Sequence, residues 1–173
     1  MTENSAQSDH FTGLILLTGN DEPGIAASLF ETLSPFAVHV LDIEQIVINN
    51  RLILTVLIGA NPAHQSAIEE DLNVCASNLD VDIATLFSKG PLFPIPELLL
   101  EVHISAERLH PSSVALVSEA ITKVGANIER FVRTSSNPIS ITITVSGANK
   151  SEIDALFNSL VFEHVTTVST RAV

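Results

Sequence analysis

The apolar and polar positions of the chain alternate between strand-like and helix-like stretches. Residues 14–17 form a short apolar run of strand length. After a polar loop, apolar side chains recur at the three- and four-residue spacing of one helix face; they are Ala26, Leu29, Phe30 and Leu33. The same pattern predicts strands at about 12–18, 38–49, 51–59 and 80–87, and helices at about 24–34 and 62–78. The order through residue 87 is therefore β-α-β-β-α-β.

Two local features refine the second and third strands. The Asn-Asn pair at residues 49–50 lies between two strand-like runs, which is typical of a two-residue hairpin turn. The apolar positions before and after residues 44–45 fall out of phase with one another. Since strand side chains alternate with a period of two, this predicts a β-bulge or a twist near residues 44–45.

A proline-rich segment, residues 88–96, separates this pattern from its repetition. Three prolines and a glycine within nine residues cannot continue a helix or a central strand, so the segment is predicted to be a linker. Adding 88 to a residue number in the first part gives a residue of similar character in the second, without any gap through most of the unit. Examples are Leu14/Val102, Leu16/Ile104, Leu29/Val117, Leu33/Ile121, Ile53/Ile141 and Leu72/Leu160. The constant offset predicts two copies of one unit.

The β-α-β-β-α-β order predicts an α+β protein made of two tandem ferredoxin-like units. Each would be an antiparallel four-stranded sheet with two helices on one face. In that topology the first and third strands are central, and here both are apolar on both faces. We therefore expect the second unit or another chain to bury the uncovered face or the sheet edge. The predicted organisation is a disordered tail (1–10), a first domain (11–87), the linker (88–96) and a second domain (97–173).

Composition and charge exclude several classes of function. Hydrophobic residues make up 46% of the 173 residues and mean hydropathy is +0.37, which allows a packed core. The formal charge is −12, from 8 Lys and Arg against 20 Asp and Glu, so a nucleic-acid partner is not expected. No apolar run is long enough to span a membrane, and residues 1–10 do not resemble a signal peptide. A cytoplasmic location is expected.

Cysteine and histidine do not form a recognisable metal or redox site. The single cysteine, Cys75, excludes an intrachain disulfide and falls on the apolar helix spacing, which predicts a core position. The six histidines are scattered, without a pair four residues apart. We therefore expect no metal and no cofactor.

The loop at residues 19–25, between the first strand and the first helix, is the best candidate site. A helix start presents unpaired backbone N–H groups that can hold a carboxylate. Gly24 allows a ligand to approach the backbone closely, and the carboxylate of Asp21 can accept a hydrogen bond from an amine. The simpler interpretation is that Asp21 only caps the helix and that Pro23 and Gly24 only make the turn.

Two ferredoxin-like units with Asp-x-Pro-Gly in this loop resemble tandem ACT domains, the amino-acid-sensing modules of metabolic enzymes. Residues 17–25, 41–48 and 51–52 further resemble the N-terminal regulatory region of actinobacterial-type phosphoserine phosphatases. Those enzymes carry two ACT domains before a haloacid-dehalogenase catalytic core. The second unit supports the resemblance through its order, its spacing and residues 126–130.

The resemblance implies an amino-acid site in the first loop. Asn20 and Asp21 would be its polar contacts, and the backbone at Gly24 and Ile25 would take the carboxylate of serine or a similar amino acid. In such families the ligand lies where two ACT units meet, which implies paired units or a homodimer. The second loop departs from the pattern, and Arg108 within it is the candidate carboxylate partner.

We do not expect the catalytic core of those phosphatases in this chain. The only similar motif, at residues 80–84, has Ala84 in place of Thr or Val and begins a strand rather than following one. We expect no enzyme here, but an allosteric amino-acid-binding module for phosphoserine phosphatase and serine biosynthesis. It would be a detached part of such a phosphatase or a free-standing protein that acts on a separate enzyme. The alternative is a ligand-free structural dimerisation module.

Overall fold

The computed structural model describes residues 10–92, 96, 98–159 and 165–172. The chain divides into two compact units between residues 93 and 94. Apart from His10, which begins the first strand, the predicted tail lies outside the described residues.

The first unit has the predicted element order. Its elements are β1 (His10–Asn20), α1 (Ile25–Leu33), β2 (His39–Ile48), β3 (Arg51–Gly59), a short 3-10 helix (Pro62–His64), α2 (Gln65–Leu79) and β4 (Asp82–Gly90). All neighbouring strands are antiparallel, in the order β2-β3-β1-β4. The first and third strands are therefore central, as predicted. Because β4 continues to Gly90, residues 88–90 belong to this strand rather than to the proline-rich segment.

The second unit repeats the same topology. Its elements are β5 (Leu99–Ala106), α3 (Pro111–Lys123), β6 (Asn127–Ser136), β7 (Ile139–Ser146), α4 (Lys150–Ser159) and β8 (Val165–Ala172). The strand order is β6-β7-β5-β8, again antiparallel throughout. These two sheets and four α-helices confirm the α+β class with two ferredoxin-like units.

Each unit buries one face of its sheet under its helices. In the first unit the core consists of alternate residues of β1 and β3 with one stripe from each helix. Its buried residues are Ile15, Leu17, Ile25, Leu29, Leu33, Leu52, Leu54, Val56, Ile58, Ile68 and Leu72. Cys75 is also buried, which confirms its predicted core position. Helix periodicity and strand alternation thus converge on one apolar layer.

The opposite faces of the two sheets differ in character. On β1, Leu14 and Leu16 are 42% and 38% exposed, so the uncovered face of the first sheet is apolar. On β5, the carboxylate of Glu101 accepts from Nε of Arg171 at 2.8 Å and lies 3.2 Å from Nε2 of His103. The second sheet therefore presents a hydrogen-bonded polar network where the first presents leucines. Burial of the first face by another unit or chain stays a prediction.

The constant offset of 88 is wrong for the central strands. Buried Ile15 corresponds to buried Val102, which is 102 − 15 = 87 positions later, whereas Leu14 is exposed. The pairing register agrees, because Leu17 pairs with Leu54 as Ile104 pairs with Ile141, each also shifted by 87. A shift of one residue moves a strand side chain to the other face of the sheet. Since these strands are apolar on both faces, an offset of 88 also matched apolar residues.

The sequence offset also differs between the two helices, because the connecting loops of the two units differ in length. Buried Leu29 and Val117 keep the offset of 88, but buried Ile68 corresponds to buried Ile153, 153 − 68 = 85 positions later. The predicted partner of Leu72, Leu160, lies outside the described residues. The repeat itself is confirmed, and the connecting loops absorb the changes in spacing.

The second strand ends at the predicted turn and contains a bulge at another position. Asn49 and Asn50 have φ of 48° and 61°, as the left-handed positions of a type I′ hairpin turn require, which confirms that prediction. The bulge lies between Val40 and Asp42, at Leu41, so its predicted place near residues 44–45 was wrong. The exposed apolar side chains of this edge strand do not lie on one face only. The apolar pattern therefore placed the irregularity at the wrong residues.

Candidate ligand-binding loop

The loop between β1 and α1 is held at both ends by backbone hydrogen bonds. At its start, the N–H of Asp21 donates to the carbonyl of Asn50 in the β2–β3 turn at 3.0 Å. At its end, the N–H of Ser28 donates to the carbonyl of Gly24 at 2.9 Å and closes the first helical turn. The side chains of Asn20 and Asp21 are exposed between these two anchors. The loop is thus fixed in its backbone while its polar side chains face solvent.

Gly24 sits at the start of α1 in a conformation that favours glycine. Its φ of 95° and ψ of −12° lie in the left-handed region. A Cβ built on Gly24 would meet no atom within 4 Å, so the backbone at this point borders open space. Glycine is therefore required by conformation and not by crowding, and the space beside it is available to a ligand.

The first turn of α1 carries no side-chain cap. The N-cap residue is Gly24, no side chain accepts a hydrogen bond there, and no acidic residue lies in the first turn. The simpler interpretation of Asp21 as a helix cap is therefore wrong. The N–H groups of the first turn have no acceptor within the helix, and the helix dipole makes this end electropositive. An anion at this position would meet donors that the protein itself leaves uncapped.

Four of the five predicted site residues come together in this loop. Ile25 is buried with its side chain in the core, so only its backbone can face a ligand. Asn20, Asp21 and Gly24 lie on the exposed side of the loop. Arg108 is exposed in the corresponding loop of the second unit, between β5 and α3.

In the loop between β5 and α3, the helix start is capped by a side chain that the sequence pattern did not identify. His110 is the N-cap of α3, and its Nδ1 accepts from the N–H of Ser112 at 3.3 Å and lies 2.8 Å from Oγ of Ser112. Pro111 occupies the first helical position. A polar residue directly before such a proline is the signal that could have predicted this cap. A side chain of the protein therefore caps the start of α3, whereas no side chain caps the start of α1.

In the described part of the chain, no group of three or more His, Cys, Asp or Glu side chains is arranged to hold a metal ion. Among the same residues, no helix combines the length and the apolar character needed to cross a membrane.

Comparisons with known sequences agree with this architecture. Residues 12–85 match the sequence model of the ACT domain. A phosphoserine phosphatase of Streptomyces coelicolor is 32% identical over 148 residues, which cover 83% of this chain and 35% of that protein. The phosphoserine phosphatase SerB2 of Mycobacterium tuberculosis is 29% identical over 123 residues, covering 69% of this chain and 30% of that protein. The chain spans about a third of the length of these curated relatives.

Solved structures extend the likeness to both units. A crystal structure provisionally assigned to a glycine cleavage system transcriptional repressor superposes with a TM-score of 0.75 at 17% identity, covering 95% of this chain and 98% of that one. A protein of unknown function from Galdieria sulphuraria gives 0.65 at 14% identity, with the same coverage. At such identities the likeness concerns the fold alone. Residues 12–85 therefore match the ACT domain family, within a chain of two tandem ferredoxin-like units that resembles part of the phosphoserine phosphatases.

Proposed function

We propose that this chain is a regulatory module that binds serine or a related small amino acid at the β1–α1 loop. It would act on a phosphoserine phosphatase catalytic domain, or on a separate enzyme of serine biosynthesis, in the cytoplasm. The uncapped start of α1, open beside Gly24, is the observation that carries this proposal. Its relatives named phosphoserine phosphatase supply the enzyme class.

The loop offers complementary partners for the two charged groups of an amino acid. In the proposed complex, the α-carboxylate accepts from the backbone N–H groups at Gly24 and Ile25, where the helix dipole favours negative charge. The α-ammonium donates to the carboxylate of Asp21 and to the side-chain oxygen of Asn20. Arg108, exposed in the corresponding loop of the second unit, would be a carboxylate contact in that loop. Ligand occupancy would change the association of this module with a second copy or with the enzyme, and so regulate the enzyme.

Titration calorimetry with serine, phosphoserine and the other common amino acids tests the proposal. The Asp21→Asn variant removes the charge of the proposed amine partner. Hydrogen bonds to charged groups contribute about 1.5–3 kcal/mol, so we expect serine affinity to fall about tenfold or more. Asp71→Asn, at an exposed position on α2, is the matched control and should bind normally. The absence of binding to every amino acid by a folded protein would refute the sensor.

A ligand-free pairing module is the second candidate. The edge strand β2 exposes apolar side chains along its whole length; they are Val40, Leu41, Ile43, Ile46, Val47 and Ile48. An exposed strand edge of this kind favours pairing with another chain. Sedimentation velocity would detect a dimer under either proposal. A stable dimer whose stability and association do not respond to any amino acid would favour the pairing module.

A further inference from the structure

A groove of about 780 Å³ crosses the end of the first unit that lies opposite the β1–α1 loop. The antiparallel topology brings together the starts of β1 and β2 and the ends of β3 and β4 at this edge. The residues that line it are His10, Phe11, Ala37, His39, Leu41, Gly59, Ala60, Asn61, Pro62, Lys89 and Leu92. The groove is therefore separate from the proposed amino-acid site, which follows the other end of β1.

The groove combines an apolar wall with an anchored aromatic ring. The ring of Phe11 stacks on that of Phe87, with centroids 5.6 Å apart and an interplanar angle of 14°. The carbonyl of Phe11 accepts from the N–H of Ala60 at 3.0 Å, which fixes the strand beside the groove. Leu41 and Leu92 add aliphatic surface. A ligand with a flat or branched apolar body would find a preformed wall here.

The described lining of the groove differs in residue charge from the unit around it. Residues 1–93 contain twelve Asp and Glu but only two Lys or Arg, namely Arg51 and Lys89. Lys89 lies in the groove together with His10 and His39, two of the three histidines in the same range. No Asp or Glu occurs among the described residues that line it. Such a local concentration of basic groups favours an anionic ligand.

The second unit carries a hydrogen-bonded carboxylate at the position that corresponds to Leu41. The first of the two bulged residues of β6 is Glu129, 129 − 41 = 88 positions after the bulged Leu41. The hydroxyl of Ser146 and the amide of Asn127 both donate to the carboxylate of Glu129 and hold its pKa below the ordinary value.

The corresponding residues of the first unit cannot form these hydrogen bonds. Asn127 pairs with Ser146 across β6 and β7 as His39 pairs with Gly59 across β2 and β3. Gly59 has no side chain and Leu41 has no polar atom, so the carboxylate, the hydroxyl and their hydrogen bonds are absent from this end of the first unit. The difference leaves the aliphatic side chain of Leu41 beside Gly59 and removes a negative charge from this end of the sheet.

We propose that this groove binds a small organic anion with an apolar body, such as an aromatic or branched aliphatic carboxylate. The anionic head would lie at Lys89 and the two histidines, and the apolar body would pack against Phe11 and Leu41. This second site would allow the module to respond to a metabolite chemically distinct from a small polar amino acid. It does not depend on the amino-acid site.

Phenylacetate is a suitable probe because it joins a carboxylate to an aromatic ring. Titration followed by amide NMR should give saturable shifts at residues 10–12, 39–41 and 59–61. Phenylacetamide keeps the shape without the charge, and inorganic phosphate keeps an anionic charge without the apolar body. We expect each to bind at least tenfold more weakly than phenylacetate. Equal binding of phenylacetamide, or shifts confined to the exposed leucines of β1, would overturn the proposal.

Two matched variants place a carboxylate, or its neutral analogue, in the groove. Leu41→Glu introduces the residue that the second unit carries, whereas Leu41→Gln has nearly the same shape without charge. We expect Leu41→Gln to weaken phenylacetate binding through the lost aliphatic contact, and Leu41→Glu to weaken it at least tenfold further because of the added charge. Equal affinities of these two variants would overturn the role of charge.

Substitutions of two lysines, and of a glycine in the β1–α1 loop, test the location of this site independently. Lys89→Gln should weaken phenylacetate binding, while Lys123→Gln on α3 should not. Gly24→Ala should leave phenylacetate affinity unchanged. An error in the proposal for this groove can therefore be distinguished from an error in the proposal for the amino-acid site. Self-association that blocks the groove and excludes phenylacetate would assign it to a second copy and overturn the proposal.

Discussion

Replacing Gly24 by alanine isolates the role of the left-handed backbone at the start of α1. An L-residue in this conformation is less stable than glycine by about 1–2 kcal/mol. Alanine also reduces the freedom of the unfolded chain, which offsets about 0.4–1 kcal/mol. Because a Cβ at Gly24 meets no atom within 4 Å, no steric clash is added. We therefore expect Gly24→Ala to lower the free energy of unfolding by about 0.5–1.5 kcal/mol.

The chain contains a matched control for this substitution in its second unit. Gly125 has a φ of 77°, and a Cβ there would also meet no atom within 4 Å. Gly125→Ala should therefore destabilise its own unit by a similar amount. The sequence contains no Trp or Tyr, so urea unfolding is best followed by circular dichroism and by amide NMR signals of each unit.

Ligand binding separates the two glycines. If serine binds at the loop, Gly24→Ala should lower its affinity at least tenfold, because the new methyl group occupies the space beside the backbone donors. Gly125→Ala should bind serine as the unchanged protein does. Normal serine affinity in Gly24→Ala would refute the location of the site. If Gly125→Ala is destabilised but Gly24→Ala is as stable as the unchanged protein, the expected effect of the left-handed backbone at Gly24 is refuted.

Two further predictions concern packing and pH. A Cβ at Gly13 would lie 2.5 Å from the ring of Phe87, so Gly13→Ala should cost about 1–3 kcal/mol of stability in urea unfolding. Gly90→Ala, where a Cβ meets no atom within 4 Å, should be nearly neutral, and equal losses would contradict the clash. Hydrogen bonds from Ser146 and Asn127 lower the pKa of Glu129 below 4.5, so its stabilisation should be present above pH 4.5 and disappear as the pH falls through the lowered pKa. An NMR titration of the Glu129 carboxyl should show this shift, and Ser146→Ala should reduce it.

The sequence predicted those features that depend on local pattern. Helix spacing placed Cys75 in the core, and adjacent asparagines at residues 49–50 predicted a turn whose left-handed conformation they tolerate. The repeated β-α-β-β-α-β order predicted both units, because each element carries its own periodicity. The loop with Asp21 and Gly24 was also recognisable, since residue types that suit a helix start lie next to one another in the chain.

Other features were decided only by tertiary structure. In a strand that is apolar on both faces, such as β1 with Leu14 and Ile15, the sequence pattern does not indicate which face is buried. Strand pairing alone determined which side chain faced the helices. Whether Asp21 capped α1 depended on a backbone conformation at Gly24 that its neighbours do not specify. The groove at Leu41 required the ends of four strands to meet. Sequence periodicity describes one element at a time, whereas register, capping and cavities arise from contacts between distant elements.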